Sequence, residues 1–280
     1  MRTMHLFAGA GGGLLADLIL GHDPIAAVEW DAYCCQVLRE RAADGWFPHL
    51  HVHEGDIRLF NPSDYAGRVG CIAAGFPCQD ISAAGKGKGI TGSRSGLVSE
   101  VFRSIDIIRP RFVFLENSPR IRTKGRHIVI GELVARGYSW RDGILGAADV
   151  GAPHQRDRWF CLAANADGLR QLQSQGSKRD ERGWPYHPPE NDTNIVRERR
   201  SYGSRVATAQ TGTNERPSSH MVSREGSSTI GASWFEVEPD VGRLVYGVAN
   251  DVVPNAVKAL GNGQVPLQAA LAWRLLGGPA

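Results

Sequence analysis

Short apolar segments alternate with amphipathic segments along the first 163 residues of the chain. The segments with the composition of buried strands are 4–8, 25–28, 71–74, 112–115 and 159–163, with a shorter one at 51–53. The segments with helical character are 14–20, 32–43 (with Asp31 as its N-cap), 97–108 and 127–135. Because continuous apolar strands separated by helices are covered on both faces, the pattern predicts a mostly parallel sheet in an open, doubly wound α/β domain.

The pattern changes at about Asn165. From there to Gly231 the chain is rich in Gly, Ser, Thr, Asn, Gln and Arg and contains few large apolar residues, which is typical of a loop-rich insert or a partly disordered one. We interpret 164–168 as its opening turn. Apolar residues return from Trp234, and two further helices are predicted at 254–260 and 267–276. We therefore expect one domain made of 1–163 with 255–280, and a small, partly low-complexity region at 164–254.

Composition and charge exclude few classes of protein. The 280 residues carry a net charge of +3, which permits nucleic-acid binding without requiring it. The five cysteines lack metal-ligand spacing, so we expect no metal site, no disulfide framework and a reducing, cytoplasmic location. No apolar run approaches the roughly 18 residues of a membrane span.

Candidate binding residues follow the predicted strands where their carboxyl ends meet at one edge of the sheet, the usual ligand site of this architecture. The first strand ends in a glycine-rich loop at 9–13, which lets backbone approach a nucleotide-like ligand. Glu29 can accept the ribose hydroxyls, Trp30 offers a flat face to adenine, and Asp56 can accept the adenine amino group. The alternatives are a plain tight turn, a core position for Trp30 and a helix N-terminal charge for Glu29. The loop has no P-loop lysine, which argues against ATP hydrolysis.

Cys78 follows Pro77 at the end of the fourth strand and precedes polar residues, unlike a structural cysteine inside an apolar run. Proline stiffens the backbone and helps to aim the thiol. The tract 82–95 is basic and glycine-rich, so it can close over a polyanion while the cysteine reacts. The alternative is a surface cysteine beside a flexible loop.

Glu116 emerges from the fully apolar strand 112–115, and a single crossover makes its strand a neighbour of the strand that ends at Cys78. A partly desolvated carboxyl has a raised pKa and can carry a proton. Arg156 and Arg158 would orient Glu116 or bind a carbonyl oxygen or phosphate; alternatively, they are surface charges flanking Asp157.

These motifs together resemble those of the cytosine-C5 DNA methyltransferases of bacteria and phages. The segments that carry the resemblance are Phe7-Ala8-Gly9-Ala10-Gly11-Gly12, Gly75-Phe76-Pro77-Cys78-Gln79, Glu116-Asn117, Gln155-Arg156-Asp157-Arg158 and Gly261-Asn262, in this order. The match covers about 1–163 and 241–276. It implies a Rossmann-like domain that binds S-adenosylmethionine, with the last helix packed beside the first strand and the middle of the chain recognising the target sequence.

The resemblance also implies roles for individual residues. Catalysis would fall to Cys78, Glu116, Arg156 and Arg158. The cofactor pocket would be lined by Phe7, Gly9, Gly11, Glu29, Trp30, Asp56, Ile57, Gly75, Leu97 and Asn262. DNA phosphates would contact Ser82, Lys86, Lys88 and Arg94. The implied reaction methylates a flipped cytosine in duplex DNA through a covalent bond from Cys78 to C6. We expect a monomer, with a cognate restriction endonuclease as a further partner.

The chain departs from the family pattern at three positions. His5 stands where Asp is usual, Ser95 where Gly is usual and Ser118 where Val is usual. We expect these departures to affect cofactor affinity and rate rather than the type of reaction.

The sequence is compatible with three other functions. The first is an RNA cytosine-C5 methyltransferase, although the Cys-Phe-Thr tripeptide of the tRNA-modifying relatives is missing. The second is a DNA-binding or cofactor-binding relative with weak or lost catalysis, although all the catalytic residues are present. The third is an NAD-dependent oxidoreductase, which explains Glu29 but gives Cys78 and Glu116 no role.

Overall fold

A computed structural model describes residues 1–77, 96–175 and 252–279. Its strands are β1 (Arg2–Leu6), β2 (Asp23–Glu29), β3 (His51–Glu54), β4 (Cys71–Gly75), β5 (Phe112–Asn117), β6 (Ser139–Leu145) and β7 (Arg158–Ala164). They form one sheet in the order β3-β2-β1-β4-β5-β7-β6. Strands β1 to β5 are parallel, whereas β7 runs antiparallel to both of its neighbours.

Helices cover both faces of the sheet, as predicted. They are α1 (Gly12–Leu20), α2 (Ala32–Ala43), α3 (Val98–Ile108), α4 (Ile121–Lys124), α5 (Arg126–Ala135), α6 (Ala166–Gln175), α7 (Val252–Asn262) and α8 (Pro266–Leu275). On one face α3 and α5 pack against alternate residues of the central strands, such as Leu6, Ile72 and Leu115. On the other face α1 and α8 pack against the residues between them, such as Cys71 and Phe114. Within the described ranges, no helix is long and apolar enough to cross a membrane.

Two features of the sheet differ from the sequence prediction. The strand predicted at 159–163 exists, but it is antiparallel, because β6 turns the chain back at the edge of the sheet before β7 inserts beside β5. Strand β6 itself was not predicted. Six of its seven residues are half-buried, so this edge strand does not need a continuous apolar run. It contains Arg141, Asp142 and Gly143, which do not fit the pattern of a buried strand.

The first strand is also shifted from its predicted range of 4–8. It ends at Leu6 because Phe7 has a left-handed backbone (φ 58°), a conformation that costs a bulky side chain of the order of 1–2 kcal/mol. Gly9 (φ 56°) and Gly11 (φ 97°) continue the turn without a Cβ, and α1 begins directly after Gly11. Asp31 caps α2 as predicted, since its carboxylate accepts the amides of Tyr33 and Cys34.

The two ends of the described chain share one core. Trp273 in α8 is 2 % exposed and lies edge-on to Phe112, Phe114 and His22. Its indole nitrogen donates to the carbonyl of Pro279 at 2.9 Å. The last helix therefore returns to the first part of the chain, as expected, but it packs mainly against α1 and β5 rather than beside the first strand itself.

The opening turn predicted at 164–168 is wrong, because this segment begins α6. Asn165 Oδ1 accepts the amide of Gly168 at 2.9 Å, and Leu169 and Leu172 pack on the sheet. The glycine is required, since a Cβ at 168 would lie 2.5 Å from the carbonyl oxygen of Arg111. The first turns after 164 therefore pack with the sheet, and the predicted insert from 176 to 251 lies outside the described residues.

Candidate active site

The ends of the five parallel strands and the start of β7 meet at the same edge of the sheet. The carboxyl ends of β1 to β5 lie there because these strands are parallel. The start of β7 joins them because β7 is antiparallel, with Trp159 opposite Asn117 and Phe160 opposite Glu116. Arg158 therefore lies at the edge where ligands bind in open α/β sheets.

The Glu29 carboxylate accepts three backbone amides, one of which belongs to the glycine-rich loop. Its Oε2 accepts from Gly9 at 2.7 Å, and its Oε1 accepts from Trp30 at 2.9 Å and Asp31 at 2.8 Å. The carboxylate thus also serves as a charge at the start of α2, and Oε2 keeps a lone pair for a further donor. Among the described residues, a Cβ at Gly9 would meet nothing within 4 Å, so this part of the chain leaves the loop open beside the carboxylate.

The alternative that Trp30 is a core residue is wrong. Its side chain is 70 % exposed at the end of β2, directly after Glu29. An exposed indole beside an oriented carboxylate is a suitable surface for a nucleoside.

The remaining predicted cofactor residues range from buried to exposed. Asp56 caps a short 3-10 turn and pairs with Arg58, whose hydrogen bonds hold the pKa of the carboxyl below its usual value. Ile57 is 5 % exposed, its side chain lies in the core, and its carbonyl accepts a hydrogen bond from Arg103 Nη2. Leu97 is half-buried against the same core, and Asn262 is exposed at the end of α7.

The Glu116 carboxyl lies between a cationic side chain and an amide donor. The Glu116 side chain is 13 % exposed, and Arg158 Nε lies 2.8 Å from its Oε1. Gln264, which was not among the predicted site residues, also hydrogen-bonds this carboxyl. Burial raises the pKa of Glu116 above its usual value, while Arg158, Gln264 and the charge of Arg156 counteract that increase.

Arg156 does not contact Glu116 directly. Its Nη2 donates to the carbonyl of Gly263 at 2.7 Å, and its Nε is buried with no partner among the residues described. Burial and the neighbouring Arg158 lower its pKa. Arg156 therefore contributes charge to the site and holds the C-terminal segment in place.

The segment that leads to Cys78 is attached to the end of β5. Gly75 pairs with Glu116, and Asn117 Nδ2 donates to the carbonyl of Phe76 at 2.9 Å. This confirms that the two strands are neighbours. Cys78 itself lies outside the described residues, as do the predicted DNA contacts Ser82, Lys86, Lys88 and Arg94 and the departure Ser95.

The four other cysteines are free and buried. Burial raises the pKa of the Cys34 thiol to about 12 and that of Cys35 to about 11, and it raises those of Cys71 and Cys161 well above the usual value. A thiol with such a pKa forms almost no thiolate near neutral pH.

His5 belongs to a buried polar cluster behind the glycine-rich loop. Its Nε2 lies 2.6 Å from Asp17 Oδ2, which also accepts the Thr3 hydroxyl at 2.5 Å, and His22 Nδ1 lies 3.0 Å from Asp17 Oδ1. Although burial opposes ionisation, the two imidazoles and the hydroxyl hold the pKa of Asp17 well below its usual value. Asp17 was not predicted as a buried residue, because an acidic residue in an amphipathic helix normally faces solvent.

The chain is similar in sequence to known proteins. A family model described as C-5 cytosine-specific DNA methylase matches residues 1–233. The type II methyltransferase M.CviJI of Paramecium bursaria Chlorella virus IL3A is 34 % identical over 168 residues, covering 59 % of this chain and 44 % of that protein. The type II methyltransferase M.HhaI of Haemophilus parahaemolyticus is 30 % identical over 171 residues, covering 60 % and 50 %.

The chain spans about half the length of the curated relatives it matches. Among solved structures, the S. pombe Dnmt2 methyltransferase gives a TM-score of 0.48 at 18 % identity, covering 69 % of this chain and 62 % of that chain.

Proposed function

Because the chain belongs to the C-5 cytosine-specific DNA methylase family, we propose that it methylates C5 of cytosine in duplex DNA, with S-adenosylmethionine as methyl donor. The observation that carries the proposal is the buried carboxyl of Glu116, paired with Arg158 beside the strand end that leads to Cys78. A nucleophile and an acid on adjacent strands suit the two sides of one pyrimidine ring.

Glu116 acts on the ring nitrogen N3. C5 of cytosine is a poor nucleophile until a thiolate adds to C6 and converts the ring into an enamine. That addition places negative charge on N3, which a protonated Glu116 neutralises. Burial favours the protonated carboxyl because it raises the pKa, and Arg158 provides donors for the neighbouring O2.

Cys78 is the nucleophile. Its thiolate forms the bond to C6, and after C5 has been methylated a base removes the C5 proton, so that the ring regains its double bond and expels the thiolate. The four buried cysteines are unsuitable, because their raised pKa values keep them protonated. Pro77, the last described residue before Cys78, is exposed at the same edge.

The residues present at the first two strand ends fit S-adenosylmethionine. Glu29 has a free lone pair for a ribose hydroxyl, the Trp30 indole is exposed for adenine, and Gly9 leaves the loop open for a close approach. When bound, the cofactor supplies an electrophilic methyl group; the family uses it generally. The further lining residues in this proposal are Phe7, Gly11, Asp56, Ile57, Gly75, Leu97 and Asn262.

Duplex DNA is the proposed substrate, and the basic tract and the middle of the chain are its proposed contacts. Turning the cytosine out of the helix costs a few kcal/mol, which contacts from Ser82, Lys86, Lys88 and Arg94 to phosphates would offset. The proposed target-recognition region is 164–254, except that α6 at its start packs on the sheet of the catalytic domain, which comprises 1–163 with 255–280.

The test is transfer of labelled methyl groups from S-adenosylmethionine to duplex DNA, with tRNA as a parallel substrate. We expect 5-methylcytosine in the DNA digest, no transfer by Cys78→Ala, and normal transfer by the control Cys34→Ala. Cofactor binding, measured by calorimetry, should be equal in all three proteins. A folded, cofactor-binding wild-type protein that labels neither substrate would overturn the proposal, and labelling of tRNA alone would move it to RNA.

A further inference from the structure

Gln264 occupies a slot that three glycines leave open. A Cβ at Gly12 would lie 2.1 Å from the Gln264 carbonyl oxygen, and one at Gly13 would lie 2.7 Å from its Oε1. A Cβ at Gly75, on β4, would lie 3.1 Å from its Nε2. The start of α1 and the end of β4 therefore both carry glycine where this side chain needs the space.

The amide of Gln264 faces the Glu116 carboxyl. Gln264 Nε2 and Glu116 Oε2 lie on the same side of Gly75, and the two side chains are hydrogen-bonded. Because an amide nitrogen only donates and a carboxylate only accepts, the N–H of Gln264 points at the carboxylate. Arg158 Nε holds the other oxygen, Oε1, at 2.8 Å.

The backbone on both sides of Gln264 is fixed. Arg156 Nη2 donates to the carbonyl of Gly263, and Gln268, which is fully buried, donates its Nε2 to the carbonyls of Arg156 and Leu145 at 2.7 Å each. A side chain can position another group only when its own backbone is held in this way.

From these contacts we propose that Gln264 is a positioning residue that sets the plane of the Glu116 carboxyl against N3 of the target cytosine. The terminal torsion of a glutamate side chain has a broad energy profile, so one contact on Oε1 leaves the carboxyl free to turn. A second donor, from the opposite side, fixes its plane. The inference rests on the proposed function of Glu116.

The same contact affects the protonation of Glu116. The charged and polar groups that face its carboxyl are Arg158 on β7, Arg156 before β7, and Gln264 in the C-terminal segment. Burial raises the pKa, and all three groups lower it. Removing the Gln264 donor therefore raises the pKa of Glu116, which moves the loss of activity with rising pH to a higher pH.

The experiment compares Gln264→Leu and Gln264→Glu with the wild type. The control is Gln36→Leu, because Gln36 makes a similar bond to Glu40 (Nε2 to Oε1, 2.9 Å) on the exposed surface of α2. One readout is the pH profile of single-turnover methyl transfer to duplex DNA. The other is the pKa of Glu116 in the protein without substrate, by carbon-13 NMR of labelled glutamate, with the resonance identified by Glu116→Gln.

We expect transfer at the best pH to fall about tenfold in Gln264→Leu, as for the loss of one hydrogen bond to a charged group. The pKa of Glu116 should rise in Gln264→Leu and rise further in Gln264→Glu, where a second carboxyl replaces the donor. Gln36→Leu should match the wild type in both readouts.

An unchanged Glu116 titration in a folded Gln264→Leu protein would overturn the inference, even if activity falls, since that result describes a purely structural glutamine. Failure of the proposed function gives a different result. In that case the wild type transfers no methyl group, while the NMR titration still decides whether Gln264 controls the Glu116 carboxyl.

Discussion

Arg158 Nε lies 2.8 Å from Glu116 Oε1, and the direction of one strand makes this contact possible. Glu116 lies near the end of β5 and Arg158 begins β7. Because β7 is antiparallel to β5, its first residue lies at the edge where β5 ends. In a parallel arrangement, Arg158 would lie at the opposite edge of the sheet, away from every other candidate residue.

We expect Arg158→Met to reduce methyl transfer about 100-fold, the effect of losing one aligned donor in a site that develops negative charge. The pKa of Glu116 should also rise, because the guanidinium that lowers it is gone. Single-turnover transfer to duplex DNA measures the first effect. The control is Arg170→Met, which removes an exposed arginine paired with Asp167 on α6. Equal rates in the two variants would contradict the role of Arg158.

Local sequence signals were sufficient for several parts of this site. A charged residue at the end of a fully apolar strand predicted the place of Glu116, and an Asp before an amphipathic segment predicted the cap of α2. The pairing of β4 with β5 followed from the single crossover between them. Each of these features depends on residues close together in the chain.

Features that depend on distant residues were not predictable in the same way. The apolar residues of β7 are compatible with a parallel or an antiparallel strand. Its direction depends on β6, an edge strand whose alternation of apolar and polar residues is weak. Gln264 reaches the Glu116 carboxyl only because the fold brings the C-terminal segment next to Gly75. Asp17 is buried only because His5 and His22 reach it from β1 and the turn after α1.

The buried cluster around Asp17 should contribute strongly to stability. We expect Asp17→Asn to lower the free energy of unfolding at pH 7 by about 3 kcal/mol, because it removes a charge on which two imidazoles and a hydroxyl depend. Urea denaturation measures the change. The control is Asp23→Asn, since Asp23 pairs with His49 at 2.9 Å on the exposed surface and such pairs contribute at most about 1 kcal/mol. Equal losses would refute a special role for the cluster.

The pH dependence of the Asp17 effect has a definite sign. The pKa of Asp17 is lowered in the folded protein, so its contribution is complete above the unfolded value of about 3.9. As the pH falls below that value, the unfolded chain takes up a proton that the folded protein does not, and the contribution decreases. The difference in unfolding free energy between the wild type and Asp17→Asn should therefore be smaller at pH 3 than at pH 7. A difference that grows on acidification would contradict this assignment.

Trp30 should matter for binding but not for folding. Its side chain is 70 % exposed, so Trp30→Ala removes little packing, and the unfolding free energy should change by less than about 0.5 kcal/mol. Loss of the aromatic face should weaken S-adenosylmethionine binding about tenfold, as measured by calorimetry. Trp46→Ala is the matched control, because Trp46 is 49 % exposed after α2. The prediction fails if the two variants bind the cofactor equally well.

Gly12 and Gly131 both lie in helices, yet their replacement by alanine should have opposite effects. A Cβ at Gly12 would lie 2.1 Å from the backbone carbonyl oxygen of Gln264, so Gly12→Ala must displace the C-terminal segment from α1. We expect a loss of at least about 1 kcal/mol in unfolding free energy, as for an overpacked contact, together with reduced methyl transfer. A Cβ at Gly131, in α5, would meet nothing within 4 Å in the part of the chain that the structure describes.

Gly131→Ala should therefore raise the unfolding free energy by about 0.5–1 kcal/mol through better helix propensity, and leave methyl transfer unchanged. Comparing the two variants by urea denaturation separates a steric requirement for glycine from a general intolerance of substitution in helices. If Gly12→Ala is as stable and active as Gly131→Ala, the C-terminal segment does not pack on α1 in the working protein. Gln264 would then have no fixed path to Glu116, because its backbone is held against the first turn of that helix.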